Sequence, residues 1–343
     1  MKKATLLFLV STALLFSCNK LQKPANSDGK NNMIVGFYNV ENLFDTINDP
    51  KINDEDFLPS SSKKYNTKIY TEKLSHLAKV IAVFKPSILG LCEVENKTVL
   101  DDLVKTLEKE QDLKYAVSHH ESQDRRGIDV AFIYNPNLLT SIEIKGHFVA
   151  LEAEPDFITR DVVQLNCTTN KGETFYVFGN HWPSRRGGAE ASEYKRIAAA
   201  SVLKHAVADI QNNNASAKIV IMGDFNDEPF NKSLLNHLKA DSLITNKNQL
   251  FNTSYYMLKK GEGTYNYKGN WNVLDQIIVS SSLITEDKKG LRAMPPYQAQ
   301  VVKQDFMLYE TKSGNKVPSR SFGGPNYYGG YSDHLPTFIQ LAH

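Results

Sequence analysis

The stretch IVIMGDFN, from Ile219 to Asn226, decides the fold of this chain. Its first four residues are apolar and three of them are β-branched, which is typical of a buried strand. Gly223 then permits close approach of a ligand, and Asp224 and Asn226 stand two positions apart. Residues two apart in extended backbone point the same way. The stretch therefore predicts a buried strand that delivers two polar side chains to one rim of a sheet.

Similar apolar runs recur along the chain and outnumber the helical segments. Eight further strand-like runs are Met33–Val40, Ser87–Val94, Val130–Tyr134, Ser141–Leu151, Val162–Cys167, Thr174–Gly179, Gln276–Ser280 and Leu335–Leu341. Helical periodicity fits Tyr70–Phe84, Lys97–Glu110, Ala189–Gln211 and Lys232–Leu238. Short links between strands are typical of antiparallel sheets, so the pattern predicts an α+β fold of sheets covered by helices. No repeat or low-complexity stretch divides residues 33–343, which predicts one domain.

Polar residues that can act as acids, bases or metal ligands stand at the ends of these runs. Runs finish at Asn39, Glu93, Asn180, His181, Asp224 and Asn226, and others begin at Asp129, Asp275, Asp333 and His334. In an antiparallel sheet, the end of one strand and the start of its neighbour lie on the same rim. These groups are therefore expected to meet at one edge of the sheets.

Such a convergence of carboxylates favours a bound cation. A carboxylate beside an apolar run is partly desolvated, and several together are costly unless they share a cation. Oxygen ligands without matching cysteines or closely spaced histidines favour Mg²⁺, Mn²⁺ or Ca²⁺ over zinc. The sequence thus predicts an oxygen-ligated divalent ion, with Mg²⁺ or Mn²⁺ preferred and Ca²⁺ as a third candidate.

The first 32 residues differ from the rest. Lys2 and Lys3 precede a short apolar run, and the junction Leu15-Phe-Ser-Cys18 resembles the lipobox of bacterial lipoproteins, with Cys18 as the lipidated residue. The expected organisation is a signal peptide at 1–17, a flexible tether at 18–32 and an exported, membrane-anchored domain facing the periplasm or the cell surface. An ordinary cleaved signal with an incidental cysteine is the alternative.

Charge and cysteine content set further limits. Without Lys2 and Lys3 the basic residues number 38, equal to the 38 acidic residues, so the chain lacks the bulk positive field that often marks proteins gripping long nucleic acid. This weakens a nucleic-acid function without excluding it. Cys92 and Cys167 can pair in an oxidising compartment or remain buried free thiols, and no disulfide is predicted.

Seven blocks, taken in order, resemble the endonuclease/exonuclease/phosphatase superfamily. They are FYNVENLF at 37–44, LGLCEVEN at 89–96, GIDVAFIYNP at 127–136, GNHWPSR at 179–185, MGDFND at 222–227, LDQIIVS at 274–280 and SDHLPTF at 332–338. Members include pancreatic deoxyribonuclease, abasic-site endonucleases, sphingomyelinases and inositol polyphosphate phosphatases. The resemblance implies a four-layer α/β/β/α sandwich in which two mostly antiparallel sheets are flanked by helices.

The resemblance also implies roles for individual residues. The catalytic histidine of the superfamily matches His334, and Asp275 matches the acid that orients it. Asn39 and Glu93 match the metal-ligand pair, and Asp333 matches a metal-side carboxylate. Members usually carry Gln where this chain has Cys92, which leaves the support of the ion open, and Glu95 is the weaker ligand candidate.

Further residues are assigned to the substrate. His181 matches a phosphate-contacting position, Asp129 matches the acid that can pair with it, and Asn226 is expected to donate to phosphate oxygens. Arg126, Arg185 and Arg186 lie in glycine-flanked loops and suit phosphate oxygens, although solvated loop charges are the alternative. The glycine- and tyrosine-rich segment 321–332 is either a flap that stacks a base or sugar or an ordinary loop.

These assignments predict a metal-dependent phosphoesterase. His334 and Asp224 are expected to position and deprotonate water. The substrate is expected to be nucleic acid, cleaved endonucleolytically by a monomer. A phosphatase or phosphodiesterase acting on a small or lipid phosphate is the alternative. A non-catalytic binding module is the third, but it is expected to have lost His334, Asp275 or Asp224, and all three are present.

Overall fold

A computed structural model describes residues 32–246, 248–284 and 290–343, although not the side chain of Ser141. The predicted signal peptide, Cys18 and tether residues 18–31 lie outside the described residues. Asn32 was predicted to end the tether, but it begins the first strand and pairs with Ala342.

Within these residues the chain forms twenty strands and four α-helices. The strands are β1 (Asn32–Leu43), β2 (Ile88–Val94), β3 (Ala116–His120), β4 (Asp129–Tyr134), β5 (Leu139–His147), β6 (Val162–Thr169), β7 (Thr174–His181), β8 (Ile219–Asp224), β9 (Ala240–Asp241), β10 (Leu250–Asn252), β11 (Tyr265–Tyr267), β12 (Asn270–Asn272), β13 (Asp275–Ser280), β14 (Arg292–Ala293), β15 (Gln300–Val301), β16 (Leu308–Glu310), β17 (Lys316–Pro318), β18 (Phe322–Gly323), β19 (Asn326–Tyr327) and β20 (Thr337–Ala342). The helices are α1 (Thr67–Phe84), α2 (Lys97–Gln111), α3 (Glu193–Asn213) and α4 (Tyr255–Lys260).

Two seven-stranded sheets carry the architecture. The first has the order β14-β20-β1-β2-β4-β3, with β15 also pairing with β20, and only β1 and β2 are parallel. The second has the order β5-β6-β7-β8-β13-β10-β9, with parallel pairs β7–β8 and β10–β9. The predicted α+β fold with two mostly antiparallel sheets is confirmed. Three two-stranded hairpins, β11–β12, β16–β17 and β18–β19, project from this frame.

Strand β8 explains why its run is apolar throughout. Val220 and Met222 belong to the core between the two sheets, whereas Ile219 and Ile221 belong to the core beneath α3. A strand covered on both faces needs apolar residues at every position. Helices α1 and α2 cover the outer face of the first sheet through a third core. The layers are therefore helix, sheet, sheet and helix, as expected.

Several element bounds differ from the sequence prediction. Helix α3 begins at Glu193 rather than Ala189, because residues 189–192 form turns in which the Ser192 hydroxyl donates back to the Gly188 carbonyl. Strand β20 begins at Thr337 rather than Leu335, after Pro336, which has no N–H to donate to a sheet. The segment predicted as a helix at 232–238 is a π-helix over Ser233–Leu238.

Two further features bear on the predictions. Cys92 and Cys167 are both buried free thiols, so they do not form a disulfide. Among the described helices, none combines the length and apolar character that crossing a membrane requires.

Candidate active site

The strand ends meet at one rim of the two packed sheets. Asp224 ends β8 and lies opposite both Asp275 of β13 and His181 of β7 in the strand register. His334 approaches from the segment before β20, and ligand-capable atoms of His334, Asp224 and Asp275 all lie within 4.8 Å of one another. Of the strand-end groups expected to converge, these four therefore meet at the centre of the second sheet.

His334 and Asp275 form a buried histidine–carboxylate pair. Nδ1 of His334 donates to Oδ2 of Asp275 over 2.7 Å, and Nε2 lies 3.9 Å from Oδ2 of Asp224. Burial alone lowers the pKa of His334, but the carboxylates of Asp275 and Asp224 outweigh it and hold the pKa well above its ordinary value. The imidazole is therefore cationic in this arrangement and presents Nε2–H toward Asp224.

Backbone contacts fix the position of this pair. The hydroxyl of Ser332 donates to the Asn39 carbonyl over 2.7 Å and accepts from the backbone N–H of His334 over 3.1 Å. Oγ1 of Thr264 accepts from the backbone N–H of Asp275 over 3.1 Å, and the Thr264 carbonyl accepts from Leu335. The two partners are thus tied to the same short segment of chain, which limits their relative motion.

Asn39 joins the carboxylates of two different strands. Its Nδ2 donates to Oδ2 of Asp224 over 3.1 Å and lies 3.5 Å from Oε1 of Glu93. Its Oδ1 accepts from the backbone N–H of Glu41, which fixes the orientation of the amide. Asn39 therefore presents nitrogen rather than oxygen to the space between the carboxylates.

The backbone near this amide adopts an uncommon conformation. Glu41, Asn42, Glu93 and Asn226 all have positive φ angles, between 51° and 62°, although none is glycine. At Glu93 the pairing of β2 with β4 shifts register, and its Oε2 accepts from the N–H of Asn42 over 3.0 Å. Left-handed non-glycine residues persist where surrounding contacts enforce them, often at functional sites.

His181 lies on the other side of the carboxylates. Its Nε2 is 3.9 Å from both Oε1 of Glu93 and Oδ2 of Asp224, and its buried Nδ1 has no hydrogen-bond partner among the described residues. Burial, followed by the positive charge of Arg160, lowers the pKa of His181 well below its ordinary value. The site thus combines a cationic His334 with a neutral His181.

The predicted pairing of Asp129 with His181 is wrong. Asp129 accepts from Nε2 of His119 over 2.8 Å and from the backbone N–H of Ser122 over 2.8 Å. His119 belongs to β3, a strand that the sequence did not predict, and pairing with β4 brings it beside Asp129. The carboxylate is therefore already occupied.

Asn226 and Arg185 hold a loop together. Nδ2 of Asn226 donates to the Trp182 carbonyl over 3.0 Å, which leaves one of its two amide hydrogens for a phosphate. Nε of Arg185 donates to the Asn226 carbonyl over 2.7 Å, and its Nη2 lies 3.6 Å from Asp227. The structure thus places Arg185 as a support for the Asp224–Asp227 loop rather than as an open phosphate ligand.

The remaining predicted residues lie at the edge of the site. Asp333 accepts from Nη2 of Arg320 over 2.7 Å, so this carboxylate is neutralised by a guanidinium. Arg126 lies 3.4 Å from Asp124 and is half exposed, and Arg186 is exposed. Glu95 accepts from the backbone N–H of Asp45, outside the cluster.

A family model described as the endonuclease/exonuclease/phosphatase family matches residues 34–343. The chain belongs to this family. The match spans nearly all of the described residues, including every strand end of the site. Membership identifies the protein as a hydrolase of phosphate esters.

Solved structures agree on the fold of this endonuclease/exonuclease/phosphatase chain. A mannosyl-6-phosphatase of Bacteroides thetaiotaomicron has a TM-score of 0.54 at 13% identity, covering 91% of this chain and 100% of its own. A humanized D. rerio TDP2 has a TM-score of 0.55 at 13% identity, covering 91% of this chain and 99% of its own. The human Nocturnin catalytic domain has a TM-score of 0.50 at 17% identity, covering 91% of this chain and 94% of its own. At these identities the likeness establishes the fold alone. A search of curated proteins finds no match.

The family's use of divalent metals fits the residues at this site. Asp224 is 2% exposed, and burial together with the charge of Asp275 raises its pKa to about 6. The surrounding residues therefore provide too little positive charge to stabilise the ionised carboxylate fully. Glu93 and Asp224 direct oxygens toward the same space from two strands. His334 is a poor ligand because Asp275 occupies Nδ1 and the imidazole is cationic. A cation therefore fits Glu93 and Asp224 better than the Asp224–Asp275–His334 group.

Sequence reasoning missed two buried basic side chains beside the site, those of Lys73 and Arg160. Nζ of Lys73, on α1, donates to Oγ of Ser321 and to the Tyr331 carbonyl, both over 2.7 Å. Arg160 donates to the carbonyls of His181 and Trp182 and to Asp124. Neither residue lies in a family block. The only available signal for Lys73 was a lysine on the otherwise apolar face of a predicted helix.

Proposed function

We propose that this protein is a divalent-metal-dependent endonuclease that hydrolyses phosphodiester bonds in nucleic acid. The observation that carries the proposal is the buried His334–Asp275 pair facing Asp224, with His181 on the opposite side of that carboxylate. A carboxylate held between a cationic and a neutral imidazole can accept a proton from water while N–H groups contact a phosphate. Structural stability alone does not explain this concentration of buried ionisable groups.

Each side chain has a definite task in this proposal. Asp224 accepts the proton from the attacking water as the P–O ester bond opposite it breaks, and the leaving oxygen takes a proton from solvent to become a hydroxyl. Asp275 keeps His334 oriented and charged. His334, His181 and the free amide hydrogen of Asn226 donate to the non-bridging phosphate oxygens as negative charge develops. Glu93 and Asp224 would hold the metal, which would supply Lewis-acid stabilisation of the developing charge.

Space beside the site supports a substrate that continues past the phosphate. A cleft of about 840 Å³ adjoins Asp333, immediately before His334 in the chain. Both ester substituents of a diester need room, and the cleft provides it for one of them. The near-neutral charge of the protein argues that few phosphates are held at once, which predicts a shallow dependence of binding on salt.

The test compares substrates with the purified protein in Mg²⁺ or Mn²⁺. Single-stranded and duplex DNA, RNA, a sugar phosphate, sphingomyelin and a phosphoinositide are supplied at matched concentration. We expect cleavage within DNA or RNA chains that stops on chelation and returns with added Mg²⁺. If nucleic acids stay intact while a sugar phosphate or lipid head group is hydrolysed rapidly, the phosphatase alternative replaces the endonuclease.

We also propose that the protein is exported and lipid-anchored through Cys18. The support is the Leu15–Cys18 junction after a short basic and apolar leader. Cys18→Ala is expected to abolish labelling by a fatty-acid analogue and to move the protein from the membrane fraction. Cys167→Ala, which removes a buried thiol, serves as the control. Identical soluble fractionation of the native and Cys18→Ala proteins contradicts the anchor.

A further inference from the structure

The three projecting hairpins surround one cleft beside the candidate active site. We call it the tyrosine cleft and define it by Tyr265 and Tyr267 of β11, Tyr309 of β16, and Tyr328, Arg320 and Asp333 of the segments flanking β18–β19. Its volume of about 840 Å³ falls within the range of small-molecule and cofactor sites. Each hairpin, or the residue after it, thus contributes at least one aromatic ring to a single space.

These rings are unusually exposed. Tyr267, Tyr309 and Tyr328 are 56%, 57% and 63% exposed, and they account for three of the eight large apolar side chains exposed in the described part of the chain. Scattered exposed aromatics need no explanation, whereas several around one concavity indicate a binding site. Tyrosine also provides a large contact area with few rotatable bonds, so that its side chain loses little conformational entropy when it contacts a ligand.

The cleft is built onto the catalytic segment. The ring of Tyr265 lies 4.7 Å from that of His334, between centroids, and the two residues form a backbone bridge. On the opposite side, a Cβ at Gly323 would lie 2.4 Å from the Tyr328 ring. Glycine at this position therefore leaves room for the Tyr328 ring beside the β18–β19 hairpin. Tyr265 therefore connects the lining of the cleft directly to His334.

The charges of the cleft suit a phosphate-linked ligand. Arg320 pairs with Asp333, the residue before His334 in the chain, and Nζ of Lys268 lies 5.2 Å from the centroid of the Tyr267 ring. Asn266 and Asn315 also line the cleft and add amide groups. The cleft thus combines planar rings with basic and amide groups, a combination that binds the faces of bases and the phosphates between them.

We propose that the tyrosine cleft binds one or two unpaired nucleobases next to the scissile phosphate, so that the substrate class is single-stranded nucleic acid. The proposal rests on the proposed endonuclease function. Duplex bases have their faces covered by neighbouring pairs and must be unstacked before they can use these rings. A base in the cleft then places the adjoining phosphate at His334.

The test measures binding without cleavage. A six-nucleotide single-stranded DNA carrying 2-aminopurine is titrated with the full chain in EDTA, and stacking on tyrosine is expected to quench its fluorescence. Base–aromatic stacking contributes about 5- to 150-fold in affinity per base. Tyr267→Leu and Tyr309→Leu are each expected to raise Kd by at least about 5-fold. Tyr267→Phe, which keeps the ring, is expected to stay within about 2-fold.

Two controls make the result decisive. Tyr194→Leu removes a tyrosine that is 44% exposed on α3 and does not line the cleft, and its Kd is expected to match wild type. An abasic oligomer of equal length and charge is expected to bind at least about 5-fold more weakly than the 2-aminopurine strand. Equal binding of the two oligomers, or no effect of both leucine variants, overturns the nucleobase proposal. Tyrosine-dependent binding without metal-dependent strand cleavage instead leaves the cleft intact and overturns the endonuclease function.

Discussion

His334→Ala and Asp275→Asn are each expected to lower kcat for phosphodiester hydrolysis by at least about 100-fold. A positioned acid or base contributes on the order of 100- to 10,000-fold in rate. His334→Ala removes the charged donor, and Asp275→Asn removes the carboxylate that fixes its orientation and raises its pKa. If the two act as a unit, the double variant loses little more than either single variant.

The chain supplies a matched control for this experiment. His120 and Asp161 form a similar pair, with Nε2 2.9 Å from Oδ2, outside the candidate site. His120→Ala and Asp161→Asn are expected to leave kcat within about 2-fold of wild type. Folding of all five variants, the double variant included, is checked by circular dichroism and thermal unfolding. Undiminished hydrolysis by a folded His334→Ala protein excludes the proposed role.

Asp224→Asn is expected to abolish hydrolysis and, in the absence of metal, to raise the thermal unfolding temperature. The predicted loss in kcat is again at least about 100-fold, because the amide cannot accept a proton from water. Burial and the nearby charge of Asp275 raise the pKa of Asp224 to about 6. The folded state therefore disfavours the ionised form, and stability falls as pH rises from the unfolded pKa, near 4, through 6. The isosteric amide removes this cost at pH 7.

Added Mg²⁺ provides the second measurement for Asp224→Asn. Ligand binding stabilises the native state by mass action, so wild type is expected to gain thermal stability with increasing Mg²⁺. The variant, which lacks one of the two convergent carboxylates, is expected to gain less. A variant that is less stable than wild type in EDTA at pH 7, or equally stabilised by Mg²⁺, contradicts this account of the carboxylate.

The location of the site was predictable because strand ends share a rim. Asp224 is the last residue of β8, and Asp275 is the first residue of the neighbouring antiparallel strand β13. The register of the two strands places these residues directly opposite each other. The apolar runs before or after these residues identify both strands without any knowledge of tertiary packing. His181 reaches the same rim for a different reason: β7 and β8 are adjacent and parallel, so both strands end there, which the rule for antiparallel neighbours did not anticipate.

The orientation of individual side chains was not predictable in the same way. Asp129 is taken by His119, on a half-buried edge strand whose sequence lacks a strong strand pattern. Arg185 is taken by backbone and side-chain oxygens of the Asp224–Asp227 loop, which exist only once that loop has folded. Both outcomes depend on hydrogen-bond competition between segments that are distant in sequence. A strand-end motif specifies where a group arrives, but not which partner it finds there.

The non-glycine residues with positive φ angles around the carboxylates lower the stability of the folded backbone, although one of them supplies a carboxylate of the site. A non-glycine residue in the left-handed conformation destabilises the folded state by roughly 1–2 kcal/mol, and by less if it is asparagine. The full penalty applies to Glu41 and Glu93. Laboratory selection for heat resistance alone will therefore favour glycine at these positions. At Glu93 the same substitution deletes a carboxylate of the site, so the variants that survive heating best are expected to include inactive ones. Selection for thermostable catalysts from this scaffold must therefore screen for turnover at every round.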